Sequence, residues 1–366
     1  MYAPEVERAQ PCDADAATQR RTRGVLVVIP TLNEAQTIED IVHQLRDHLP
    51  PDVPLRMVVC DGGSTDATPD IVRRLTDQVP RLHLLHNPKR LQSAAINLAV
   101  REYGADADVL VRCDAHAVYP VGYIASLAAS LERHDCDAVV VAMDAWGDTC
   151  LARAIAWVSD SIVGSGGSAH RGGRRSGFVD HGHHAAFRMS RFVQVGGYDE
   201  AFSHNEDAEF DCRQLAMGSR IYLDSDIRLT YCPRGTFAGL WQQYFNYGLG
   251  RSRTVRKHPH SWRLRQLAVP TNALVSLVGL AGAPWWHWTL VWPLAYLGAL
   301  SATSLILAVH RRSLCGLFSG PAALVMHSAW AAGFFTGLLV VNERRWDAGD
   351  SEALPLRPGS MPSEGR

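Results

Sequence analysis

Several protein classes are excluded by what this chain lacks. Its eight cysteines form no Cys-x-x-Cys pair and no Cys/His spacing of the zinc-finger kind. Cys60 and Cys113 each close an apolar run just before an aspartate, and the set is expected to be buried and reduced. Net charge is almost absent, with Lys+Arg 36 against Asp+Glu 37, which excludes nucleic-acid binding held by overall charge. Residues 1–23 are polar and charged and carry no apolar stretch of a secretory leader, so the front of the chain is expected to stay in the cytoplasm. Gly164 to Gly177, rich in Gly, Ser and Arg, has no Gly-Lys-Ser/Thr ending and so is no phosphate-cradling P-loop; it is expected to be a mobile lid. No repeat runs through the chain. With 47% hydrophobic and 20% charged residues, wholesale disorder is also out.

What is present is an alternation. Val25–Ile29 is a short β-branched run halted by Pro30, as expected of a strand buried on both faces. Ala35–Leu49 carries apolar residues at helical spacing (Ile38, Ile41, Val42, Leu45). Strand predictions follow for Leu55–Cys60, Arg81–His86 and Asp108–Cys113, with helices over Asp66–Leu75 (N-cap Thr65 or Asp66) and Gln92–Tyr103. This is the pattern of an α/β sheet wound with helices on both faces. Ligands of such sheets collect at the carboxyl ends of the strands, which here carry Asn33 and Glu34, then Asp61, then Asp114 and His116. After Ala142 the alternation breaks, and helices are expected over Asp207–Met217 and Phe237–Gly250.

The back of the chain differs. Leu267–Trp286, Trp288–Val309 and Leu317–Val341 are each near the ~20 residues that cross a bilayer. Trp285, Trp286 and Trp288 lie between the first two, as interfacial aromatics do. A buried helical bundle is the alternative for the whole stretch. Arg251, Arg253, Arg256, Lys257, Arg263 and Arg265 precede it, and Arg311 and Arg312 follow the second span; the positive-inside rule puts both on the cytoplasmic side. Arg344 and Arg345, after the third, conflict with a three-span count. The expected organisation is a polar tail (1–23), a catalytic domain (24–250), a basic neck facing lipid headgroups or an acidic lipid diphosphate (251–266), two to three membrane helices (267–341) and a polar tail (342–366).

Four segments carry a resemblance. Pro30-Thr-Leu-Asn-Glu34, Asp61-Gly-Gly-Ser-Thr-Asp66, Asp114-Ala-His116 and Asn205-Glu-Asp207 stand in the order seen in inverting family 2 glycosyltransferases of the GT-A fold. Over about Val25–Arg251 the chain resembles that family, and Asp114-Ala-His-Ala-Val-Tyr-Pro120 with the apolar tail looks closest to succinoglycan-type glucosyltransferases of exopolysaccharide assembly. The resemblance implies a UDP-sugar donor held by Pro30, Asn33, Glu34, Asp61, Gly62, Arg90, Asn97 and Asp114. A carboxylate such as Asp61 or Glu34 can accept from a uracil imide or a ribose, and Gly62 permits close backbone approach. For Asn97 a structural role is the alternative. Asp114 and His116, two apart on an extended segment, stand where the family holds a divalent cation; the imidazole tilts the choice from Mg2+ toward Mn2+. Asp207 occupies the position of the general base and Glu206 that of an acceptor-orienting group. Both also suit a helix N-terminus. His181, His183 and His184 are acceptor-groove or core residues, or one of them completes the metal shell. Trp241, Gln242, Gln243 and Arg251 resemble the Gln-x-x-Arg-Trp element of processive synthases, but with the wrong spacing and no Trp after Arg251.

The expected function is therefore transfer of one sugar, glucose, from a UDP-sugar to a lipid-linked saccharide at the inner membrane. The enzyme is expected to be multi-pass, with its catalytic domain cytoplasmic and a polysaccharide-assembly complex as a partner. Two alternatives stay open: a transferase charging polyprenyl phosphate itself, and a non-catalytic nucleotide-sugar-binding scaffold.

Overall fold

β-branched runs that stay apolar on both faces make strands for the middle of a sheet. In the computed structural model, which describes residues 24–46, 54–171, 173 and 175–357, they do so. β1 (Val25–Thr31), β2 (Leu55–Asp61), β3 (Leu82–His86) and β4 (Val109–Arg112) are parallel in the order β3-β2-β1-β4. Between them run α1 (Ile38–Arg46), α2 (Thr68–Thr76) and α3 (Gln92–Tyr103). The expected end of α1 at Leu49, and the polar tail 1–23, lie outside the described residues. α2 begins two residues later than expected. Neither Thr65 nor Asp66 is its N-cap; instead Asp66 takes the amides of Thr68 at 3.0 Å and Ala35 at 3.1 Å, tying two edge loops together.

The sheet continues past the point where the alternation breaks. After β5 (Ala117–Val118) and α4 (Tyr123–Arg133) come β6 (Ala138–Ala145), α5 (Cys150–Ser159), α6 (Ile162–Ser165), β7 (Gly177–Val179), β8 (His183–Arg188), α7 (Met189–Gln194), α8 (Glu206–Ala216) and β9 (Ile221–Tyr231). The order runs on from β4 as β8-β6-β9-β5, with β8 antiparallel to both its neighbours and β7 beside β9. The register of β9 against β6 slips between Val141 and Ala142, so that Asp224 and Arg228 face consecutive residues. Such a bulge bends a strand; the first half of β9 pairs with β7 and the second with β5. This curl carries Tyr231 round to Ala117, beside His116. Apolar residues pack on both faces, under α1, α2 and α4 on one and under α3, α7 and α8 on the other.

α9 (Phe237–Lys257) continues beyond the boundary expected at 250. It is followed by α10 (Leu264–Gly282), α11 (Val291–His310) and α12 (Ser319–Val340). Two stretches, 287–310 and 314–340, are long and apolar enough to cross a membrane; the apolar part of α10, Gln266–Gly282, is shorter. The basic neck is not a free lipid-facing patch. Arg251 is bound to Gln266 and Ser261, Arg253 to Glu343, and Lys257 to Asp199 and Glu209, while Arg263 pairs with Asp180. Helix α9 continues as far as Lys257, which turns Arg251, Arg253 and Lys257 toward protein partners.

A second expectation fails at the cysteines. Cys60, Cys113 and Cys136 are buried and free, but Cys150 and Cys315 form a disulfide across 165 residues. Packing of α5 against the turn before α12 sets their Cα atoms 5.1 Å apart, inside the range a disulfide needs.

Candidate active site

Loops after β1 and β2 interlock at the sheet edge. Asn33 sits in the left-handed region (φ 58°), which asparagine tolerates, and its side-chain oxygen accepts the Thr65 amide at 2.8 Å. The Asp61 carboxylate accepts from the amides of Gly63 at 2.9 Å and Ser64 at 3.1 Å, and from the Ser64 hydroxyl at 2.5 Å. Its own turn therefore already occupies it. Arg90 holds the same turn, donating from Nε to the Gly62 carbonyl at 2.9 Å and from Nη2 to that of Gly63 at 3.0 Å.

Below this edge opens a cavity of about 1130 Å³. Pro30, Glu34, Gly62, Arg90, Asp114, His116, Glu206 and Asp207 all line it; Asn33 and Asp61 stand behind, as supports of the lining loops. Asn97 is not brought to the site. Its buried amide is committed to the Tyr198 backbone at 2.7 and 2.9 Å and to Glu200 at 3.0 Å, because α3 packs it under the turn after α7.

The cavity floor is an ion-pair cluster built on a residue that the motifs did not reveal. Arg112 ends β4, is 6% exposed, and pairs with Asp207 and, at 3.6 Å, with Glu206 on the first turn of α8. A cation within the apolar run Val109-Leu-Val-Arg-Cys113 was the available signal, since buried charges require partners. The three histidines diverge. His184 sits between Asp211 at 2.8 Å, the Tyr198 hydroxyl at 2.7 Å and Asp207 at 3.5 Å; His181 pairs with Asp211 at 2.7 Å; His183 faces Asp114 at 3.7 Å. Asp211 is buried as the anchor of two imidazoles, and Glu209 is buried against Arg213, His258 and Lys257.

Electrostatics divide the two carboxylates of α8. Burial pushes Glu206 up to about 7, aided by the adjacent Asp207 charge. Burial also opposes ionisation of Asp207, but Arg112 and then His184 hold it well below the usual carboxylate range. Asp207 is thus ionised, while Glu206 titrates near neutrality.

Asp114 and His116 do not lie on an extended segment. Ala115 and His116 form a turn, which separates them: Asp114 accepts from Gln92 at 3.0 Å and faces His183, while His116 Nδ1 pairs with Glu34 at 3.0 Å. The Glu34 hydrogen bond raises the His116 imidazole above its ordinary value. Burial pushes His183 down to about 4, so it is neutral, and Arg112 keeps Asp114 ionised although burial opposes it. A neutral imidazole beside a carboxylate is a donor set that suits a divalent cation, with diphosphate oxygens left to complete the shell. Among the described residues no group of three or more His, Cys, Asp or Glu side chains is arranged to hold a metal ion by itself.

At its other end the cavity is walled by α9, α10 and α12, through residues including Gln243, Tyr247, Gln266, Met326 and Trp330. Gln243 donates to the hydroxyls of Tyr231 at 2.6 Å and Tyr247 at 2.9 Å. Trp241 is outside the lining. Ser165, Ser168, His170 and Arg171 bring the Gly-rich loop onto the cavity, with the Arg171 guanidinium 5.2 Å from the Tyr231 ring centroid.

Comparison with known proteins gives a consistent picture. The family model described as "Glycosyl transferase family 2" matches residues 26–195. The succinoglycan biosynthesis protein ExoA of Rhizobium meliloti is 43% identical over 323 residues, spanning 87% of this chain and 96% of that protein. A polyprenol monophosphomannose synthase of Mycolicibacterium smegmatis is 36% identical over 112 residues, 30% of this chain and 41% of that one. The mannosyltransferase PcManGT from Pyrobaculum calidifontis, solved with GDP-Man and Mn2+, superposes with a TM-score of 0.58 at 21% identity, covering 88% of each chain, and has the same GT-A fold.

Proposed function

The chain belongs to glycosyl transferase family 2 and is ExoA-like, a protein of exopolysaccharide synthesis, and from that premise we propose that it moves one glucose from a UDP-sugar to a lipid-linked saccharide. The observation that carries this reading is the cavity, which runs without interruption from the nucleotide edge of the sheet to the apolar C-terminal helices. Glu34, Gly62 and Arg90 are assigned to the nucleotide, with Asn33 and Asp61 holding their loops. Arg171, which lines the cavity beside the Tyr231 ring, supports an anionic group on the acceptor side.

Asp114 and His183 would hold a divalent cation, and His116, bonded to Glu34 through Nδ1, would have Nε2 left as a further donor. When bound, such an ion neutralises the charge that builds on the departing nucleoside diphosphate. Asp207 accepts the proton of the attacking hydroxyl, kept ionised by Arg112 and His184. Glu206, beside it, positions that hydroxyl. An ionised phosphate acceptor needs no base, so this carboxylate favours a saccharide hydroxyl over polyprenyl phosphate as the acceptor. The intact cluster also disfavours a scaffold without turnover. The site lies at the cytoplasmic face of the inner membrane.

The test is transfer of labelled glucose from UDP-glucose into lipid extract by membranes carrying the wild type or Asp207→Asn, with and without Mn2+. Metal-dependent label that falls about 10²–10⁴-fold in the variant is expected, and the mass of the product separates an extended diphosphate-linked saccharide from a charged monophosphate carrier. Undiminished label with Asp207→Asn removes Asp207 as base; no label in lipid removes the donor or acceptor assignment.

A further inference from the structure

Of the two stretches apolar enough to cross a bilayer, one is held to the catalytic domain along its whole length. At the start of α12 the Ser319 hydroxyl donates to the Ala154 carbonyl of α5 at 3.2 Å, and His327 Nε2 stands 2.9 Å from the Val163 carbonyl of α6. In the second half, glycines let α9 approach to backbone distance: a Cβ at Gly333 would stand 1.9 Å from the Phe245 carbonyl oxygen. Arg256 of α9 then donates to the Gly337 carbonyl at 2.8 Å and to that of Val341. The chain beyond stays on the same body. Glu343 accepts from Arg253 at 2.6 Å, the Trp346 amide donates to the Lys257 carbonyl at 3.1 Å, and the Leu354 amide to that of Val193 at 2.9 Å, with the Leu354 side chain in the core. A helix of 22 residues is about 33 Å long and could cross. A crossing helix, however, puts its two ends in opposite aqueous phases, and one soluble domain cannot bond both.

α10 and α11 differ. They are joined by Trp292 Nε1 donating to Asn272 at 3.0 Å and by the Thr289 hydroxyl donating to the Gly279 carbonyl at 2.7 Å. From Gln266 to His310 there is no Asp, Glu, Lys or Arg. Leu277, Val278, Leu294, Leu305 and Ile306 are exposed, and Trp285, Trp286 and Trp288 crown the turn at 83%, 70% and 79% exposure. Cations stand only at the end nearest the domain, Arg263 against Asp180 and Arg311 over the Trp157 ring. Apolar flanks framed by tryptophan at one end and arginine at the other match a bilayer's hydrocarbon core and its two interfaces.

We propose that the α10–α11 hairpin is the bilayer-inserted element, its tryptophan tip directed away from the catalytic domain. In this arrangement α12 is an interface helix that does not cross, and the C-terminal segment lies on the same side as the active site. The inference rests on the membrane part of the proposed function and on nothing about donor or acceptor. It removes the charge conflict of a three-span count, because Arg344 and Arg345 come to the side of Arg311 and Arg312. It also makes α12 the partition between cavity and bilayer, since Met326, His327 and Trp330 line the cavity.

Cysteine labelling of the full chain tests this without an activity readout. His287→Cys at the tip and Gly349→Cys in the tail are both at exposed positions, and each is placed in a background with Cys12 and Cys232 replaced by serine. A membrane-impermeant maleimide is applied to intact spheroplasts, to lysed membranes and in detergent. Gly349→Cys should label only after lysis. His287→Cys should label either from outside or only in detergent. Label on Gly349→Cys in intact spheroplasts would overturn the placement of α12. Label on His287→Cys after lysis alone would overturn the hairpin. Trypsin resistance of the catalytic domain controls folding, with Trp286→Cys and Asp350→Cys as substitutes for a variant that fails it.

Discussion

Replacing Arg112 by methionine removes the cation on which the cavity floor is organised. The guanidinium pairs with Asp207, stands 3.6 Å from Glu206 and reaches the Tyr198 hydroxyl at 3.4 Å. Methionine fills the space but leaves buried Glu206 and half-buried Asp207 with His184, 3.5 Å from Asp207, as the nearest imidazole. Left charged, such a broken pair costs about 3–5 kcal/mol. Protonating one carboxylate is the cheaper escape. Burial is the largest influence on Asp207 and acts upward, so without Arg112 its pKa rises toward neutrality. The expected result is an acid limb of kcat/KM displaced upward by at least about one pH unit, with a rate at neutral pH about tenfold or more below wild type. Arg112→Lys, which retains the charge, should return the limb most of the way while recovering only part of the rate. Initial rates of labelled transfer across pH about 5 to 9 read both quantities. If Arg112→Met slows the reaction equally at every pH, Arg112 does not act by keeping Asp207 ionised, and the electrostatic argument falls.

Glu206 gives an opposite pH signature. A free glutamate titrates near about 4.3, whereas Glu206 is pushed up to about 7, so the folded chain binds the extra proton between those values. Its contribution is full below the lower value and is lost as pH rises through the upper. Glu206→Gln should therefore melt above wild type at pH about 8 and level with it at pH about 4; a variant less stable than wild type at the higher pH would contradict the sign. Asn97→Ala should cost about 1–3 kcal/mol through the unpaired Tyr198 backbone groups, with the donor KM unchanged. A raised KM at unchanged stability would instead return Asn97 to the nucleotide site. Gly333→Ala gains helix propensity but drives a Cβ into the Phe245 carbonyl, so thermal unfolding in detergent should show a net loss of about 1–3 kcal/mol; a stabilised variant would mean that α9 and α12 do not touch there.

Chemistry carried by short local motifs could be read before any contact was known. The four segments from Pro30 to Asp207 named the strand ends and turns, and α3 and the first four strands fell within a residue or two of their expected bounds. Asp114 and Asp207 line one cavity although 93 residues separate them, because strand ends of a wound sheet share an edge. Asn97 misled because a polar residue on a helix near the site carries no mark of which way it faces; the turn holding Tyr198 claimed it. Pairing His116 with Asp114 followed a period of two that holds in a strand, and the turn at Ala115–His116 breaks that period.

Composition and periodicity alone determined the wound α/β domain, the edge that carries the chemistry and the apolar end of the chain, since each depends on neighbours within a few residues. Tertiary structure alone decided who partners whom. It set Arg112 under Asp207 and Glu206, His183 against Asp114, the neck arginines against protein groups, and Cys150 against Cys315. It also separated α12 from α11, two stretches alike in length and hydropathy. Hydropathy measures only what a side chain would gain by leaving water, whereas packing against α9 determines whether protein or lipid receives it.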